Sequence, residues 1–186
     1  MTPSRPRVSR LRSIIAGAVA VSGLLVLLGQ SIAIGAGQGE LAAVRAATDK
    51  FHSIPAAEAA GYGPFYICTD DNGGAGAMGQ HYVKGALVGD GAIDPLTPEA
   101  LVYEPMPGGN LRLVGVEYVV FKADWDANHS SPPQLFGHTF FTIPAGNRYG
   151  LPDFYELHAW IWRPNPSGIF QNWNPKVTCR GNGDPA

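Results

Sequence analysis

Hydrophobic positions follow three regimes along the chain. They run almost unbroken from Ile14 to Leu28, recur at every third or fourth position from Leu41 to Ile54, and fall beyond Gly63 into short runs separated by turn residues. In the second regime Leu41, Val44, Ala47, Phe51 and Ile54 form one apolar stripe, which predicts an amphipathic helix from Glu40 to Ala60. Pro55 divides that helix and Gly61 ends it. Its Phe51 face is expected to pack on a sheet, leaving His52 on the solvent side.

The third regime predicts strands near Phe65–Thr69, Gly79–Lys84, Ala100–Glu104, Leu111–Phe121, Leu135–Thr142 and Tyr155–Trp162. Met106-Pro107-Gly108-Gly109-Asn110 is short enough to join two of them as a hairpin. Asp124 to Pro133 reads as a polar loop, Arg163 to Pro175 as a loop built on prolines, and residues 181–186 as a flexible tail. A helix followed by about six mostly antiparallel strands is an α+β pattern. The expected architecture is an N-terminal helix packed on a curled sheet, either a half-barrel or a barrel. No βαβ alternation occurs, which excludes a doubly wound fold.

The first regime belongs to export rather than to the fold. Arg5, Arg7, Arg10 and Arg12 precede the apolar run, and small residues follow at Ala33 to Ala36. A basic segment, an apolar segment and small residues mark a secretory signal peptide. The alternative is a membrane anchor through residues 14–34, since the run approaches spanning length. Residues 1–36 are therefore assigned to a signal peptide or anchor, and residues 37–180 to one exported domain, secreted or held on the outer side of the cytoplasmic membrane.

Charge changes the picture once the two parts are separated. The chain has 13 basic and 15 acidic residues, and four of the basic ones lie in the export segment. The remainder is acidic by six charges and carries no basic cluster, which disfavours nucleic acid as a partner. Cys68 and Cys179 are an even pair in an oxidising compartment, so a disulfide closing a loop of about 110 residues is expected.

Candidate chemistry lies where polar groups interrupt apolar strands. Glu117 sits in the middle of Leu111–Phe121, apolar on both faces past Arg112. A carboxylate there needs a partner, a metal or a proton. Strand alternation puts Glu156, His158, Trp160 and Trp162 on one face of the last strand. His81 follows the glycines of Gly76-Ala77-Met78-Gly79 and faces opposite Gln80 and Tyr82. Two imidazoles and a carboxylate, His81, His158 and Glu117, are the minimum for an open-sided site for a divalent transition metal. Glu156 stands in reserve, and His138 is a possible fourth ligand. Tyr82, Tyr118, Trp160 and Trp162 are expected to line the accompanying pocket. The alternative is a hydrogen-bonded His–Glu network that only locks the sheet. Asp70-Asp71-Asn72-Gly73-Gly74 opens like a calcium loop, but its twelfth position is His81 instead of Glu, so it reads as a turn.

Gly76–Val83, Asp94–Glu104 and Leu151–Cys179 resemble a group of exported bacterial proteins that has no established activity, and the likeness spans nearly all of residues 40–179. It implies an exported bacterial single domain and carries over no catalytic residue. The functional expectation is a domain that binds a metal ion or small ligand in a His/Glu/Trp-lined pocket. The alternatives are a structural or interaction domain and a metal-dependent hydrolase or oxygenase.

Overall fold

The break expected at Pro55 in the striped helix falls two residues earlier, at Ser53. In the computed structural model, which describes Met1 and residues 37–71 and 73–182, helix α1 covers residues 37–48 and passes into a 3-10 turn at Asp49–His52. A second helix, α2, follows at Ile54–Ala59. Pro55 lies in the first turn of α2, where the missing N–H would have no intrahelical partner anyway. Thr48 closes α1 by donating its hydroxyl to the Val44 carbonyl at 2.8 Å. The signal-peptide or anchor segment, residues 2–36, and the last four residues of the tail lie outside the described residues. Among the described residues no helix is long and apolar enough to cross a membrane.

Among the described residues eight strands follow: β1 Gly63–Asp71, β2 Gly76–Val83, β3 Ala100–Pro105, β4 Leu111–Phe121, β5 Gln134–Leu135, β6 His138–Thr139, β7 Phe141–Ile143 and β8 Phe154–Ala159. Short helices α3 (Gly85–Val88) and α4 (Lys122–Asp126) sit in the connections after β2 and β4. The main sheet has the order β1-β2-β3-β4-β8-β7, and every neighbouring pair is antiparallel. With α1 and α2 against it, this is the expected α+β half-barrel.

The expected strand over Leu135–Thr142 is three short pieces. Phe136 and Gly137 both take positive φ, 54° and 77°, and turn β5 back on β6. Two-residue hairpins that match strand twist require that conformation. The chain then continues into β7 at the sheet edge beside β8.

One face of the sheet packs on the helices. Leu41, Val44, Phe51 and Ala57 meet Leu101, Tyr103, Leu113, Val116, Tyr118, Val120, Tyr155 and Leu157 in one buried cluster. β4 is apolar on both sides because both of its faces are covered, and a bulge shifts its alternation. Val102 of β3 pairs with Gly115, yet Tyr103 pairs with Leu113, so one extra β4 residue is taken up at Val114. Leu113 and Val116 then both face the helices, while Val114 faces the other side. Tyr103 ties the layers by donating its hydroxyl to the Phe51 carbonyl at 2.7 Å.

Among the described residues the opposite face has no helical layer of that size. One end is covered by the C-terminal segment, which packs Val177 and Cys179 on Cys68, Ala77, Val102, Val114 and Trp160. Cys68 and Cys179 form the disulfide, with Cα atoms 5.7 Å apart. The other end is Val88 of α3 with Val119, Phe154, Tyr149 and Leu151.

Candidate metal centre

Between these two apolar clusters lie the polar side chains. Register places them. On β4 and β8, Glu117 pairs with His158, and on β3 it pairs with Ala100. His81 of β2 pairs with Val102, a residue two along from Ala100 on the same face. Ala100 carries only a methyl group, which leaves space for His81 and Glu117 to meet across β3. His81 Nε2 lies 3.4 Å from Glu117 Oε2, and His158 Nε2 lies 3.7 Å from Glu117 Oε1. The two Nε2 atoms are 3.4 Å apart. One ligand atom from each residue falls within 4.8 Å of the others, and all three residues are buried.

Those separations have a chemical meaning. Ligands about 2.0–2.2 Å from a zinc-type ion span edges of about 3.3–3.6 Å in a tetrahedron, and about 2.8–3.1 Å in an octahedron. The 3.4 Å between the two Nε2 atoms matches the tetrahedral edge, and the carboxylate approaches the two rings through different oxygens, at 3.4 and 3.7 Å. Burial also leaves the imidazoles in their ligating form. His81 is lowered to about 4 by desolvation, and His158 is pushed well below its ordinary value by desolvation and by the neighbouring His81. Both are neutral at physiological pH, the state in which histidine binds metal.

Glu156 is close to this set. Its Oε1 accepts from Asn172 Nδ2. Burial raises Glu156 to about 7 and raises Glu117 well above the usual carboxylate range, the second Glu adding to the effect on Glu117. Two neighbouring carboxyls in a medium that cannot solvate them resist ionising together, because two bare charges would repel.

Beside the centre is an open cavity of about 200 Å³. His81, Glu117 and Glu156 form its polar end, and Val83, Val88, Val119, Phe121, Leu151 and Phe154 supply hydrocarbon walls. Phe65, Gly85 and Tyr149 complete the lining. The Tyr149 hydroxyl donates to Met78 Sδ at 3.5 Å, and burial with Glu117 and Glu156 nearby raises its pKa.

The aromatic residues expected at the pocket are elsewhere. Tyr82 and Tyr118 lie on the helix face, since each follows a site residue by one position and strand alternation turns it away. Tyr118 donates to the Pro95 carbonyl at 2.8 Å. Trp160 keeps the site face and stacks on His158 at 5.7 Å between centroids, but lies on the covered side away from the cavity. Trp162 breaks the alternation. β8 ends at Ala159, and the N–H groups of both Trp162 and Arg163 donate to the Val114 carbonyl. That crossover swings Trp162 to the helix cluster, 4.5 Å from the His52 ring. His138 does not join the ligand set; it is exposed on β6, 4.2 Å from the Phe170 ring.

Two contributors escape a reading of strands alone. Tyr149 is held by an asparagine turn in which Asn147 Oδ1 accepts from the N–H of Tyr149 and of Leu151. The Asn147-Arg148-Tyr149-Gly150 run is a visible turn signal, but which way its tyrosine points is decided by the fold. Asn172 comes from the proline-rich loop and has no local signature. No protein-family model, curated protein or solved structure matches the chain.

Proposed function

We propose that this is an exported bacterial domain that binds a divalent transition metal, zinc in type, through His81, Glu117 and His158. The observation that supports it is the meeting of two neutral imidazoles and a carboxyl from three different strands, one ligand atom of each within 4.8 Å of the others. Three protein ligands leave a fourth position for water or a ligand, as in catalytic zinc sites. The Cys68–Cys179 disulfide and the basic-then-apolar N-terminal sequence support export.

A second reading is a structural His–Glu network, favoured by the same short contacts, which allow the three groups to hydrogen-bond to one another. Metal titration separates the two. Isothermal titration of the purified full chain with Zn²⁺ is expected to give one site per chain. The His81→Ala/His158→Ala double variant is expected to lose it while keeping its circular dichroism spectrum. Cobalt substitution is expected to give the intense visible bands of a tetrahedral centre. A chain that takes up no metal, or a double variant that still does, refutes the assignment.

A further inference from the structure

We propose that the cavity beside the metal centre is a binding slot for a small apolar monocarboxylate, with its carboxylate at the polar end and its hydrocarbon body between Val88, Phe121 and Phe154; this rests on the metal reading above. Size sets the first limit. An apolar cavity of about 150 Å³ takes benzene, so about 200 Å³ accommodates a ring with one short arm, on the order of nine non-hydrogen atoms. A sugar or peptide has too many polar groups for walls of valine, leucine and phenylalanine to satisfy. The ligand therefore has one polar end.

The sign of that end follows from charge. Among the described residues no lysine or arginine lines the cavity, and its polar end holds the carboxyls of Glu117 and Glu156. Without a metal this end offers an anion no positive charge. A divalent ion held by His81, His158 and Glu117 adds two positive charges there and supplies an open ligand position. Carboxylate binding is thus expected to depend on the metal, and a cationic head to be rejected once the metal is present.

Access for substitutions is favourable at one wall. Gly85 lines the cavity, and a Cβ added there would meet no atom within 4 Å. Val88 lies one turn further along α3 on the same lining.

The test uses the zinc-loaded full chain with benzoate as probe and benzylamine as the cationic control. Titration is expected to show benzoate binding that disappears when zinc is removed, with no binding of benzylamine. Gly85→Phe and Val88→Phe are expected to weaken benzoate roughly tenfold or more while changing zinc affinity by less than about threefold. Should neither variant fold, cobalt-loaded wild-type protein answers the question, because benzoate entering the open position must shift the visible bands. Zinc uptake without benzoate binding or a spectral shift overturns the slot and leaves the metal centre standing. Benzoate binding that survives metal removal, or a preference for benzylamine, overturns it as well. Failure to bind zinc at all overturns the metal assignment and this inference together.

Discussion

Gly79→Ala is the substitution that most directly tests how the backbone carries His81 to the centre. Gly79 has φ of +100°, and a Cβ there would lie 2.5 Å from the Tyr103 carbonyl oxygen. The atom it meets is backbone of the neighbouring strand, so no side chain can rotate aside. β2 must move away from β3, two residues before His81. The left-handed conformation alone costs an L residue about 1–2 kcal/mol. Relief of the contact at the expense of β2–β3 hydrogen bonds adds about 1–3 kcal/mol. The expected loss is therefore roughly 2–5 kcal/mol, read from urea denaturation with the disulfide intact. Zinc affinity is expected to fall with it, because displacement of β2 opens the His81–Glu117 separation. Gly85→Ala is the matched control, since its Cβ would meet nothing within 4 Å. Equal midpoints for the two variants would refute the close-approach argument.

Three further outcomes are expected. Replacing Cys68 and Cys179 together by Ala frees a loop spanning 111 positions, and chain entropy puts the loss at up to about 4–5 kcal/mol, checked by urea melts of both proteins. Tyr103→Phe removes the donor to Phe51 and is expected to cost about 1 kcal/mol while leaving zinc binding unchanged, checked by thermal melts and titration. Glu99, buried and raised from 4.5 to about 8 mainly by desolvation, gains its proton more readily when folded than when unfolded. Its contribution is fully present below about pH 4.5 and is lost as pH rises through about 8. Glu99→Gln, which keeps an acceptor for the Val119 N–H, is therefore expected to match wild type at pH 4.5 and exceed it at pH 8. Parallel stability profiles would count against that account.

Periodicity alone carried the fold class. The Leu41–Ile54 stripe, the β runs after Gly63 and the 106–110 turn specify a helix layer on an antiparallel sheet, because burial of one face imposes a 3.6- or 2-residue period on the sequence. Glu117 stood out for the same reason: a carboxyl within an apolar strand has to be compensated. The even cysteine count also pointed to the disulfide between Cys68 and Cys179.

Which polar groups meet was a matter for the tertiary structure. His81 and Glu117 are not register partners; they meet across Ala100 because strand order and twist bring them there, and no sequence spacing encodes that. The faces of Tyr82 and Tyr118 follow from alternation once the register is known, whereas Trp162 departs from it because β8 ends at Ala159. Tyr149 and Asn172 reach the site from loops, where side-chain direction depends on what the loop packs against. Local pattern is set by which face is buried. A site assembled from several strands and two loops is set by long-range contacts, which exist only once the chain has folded.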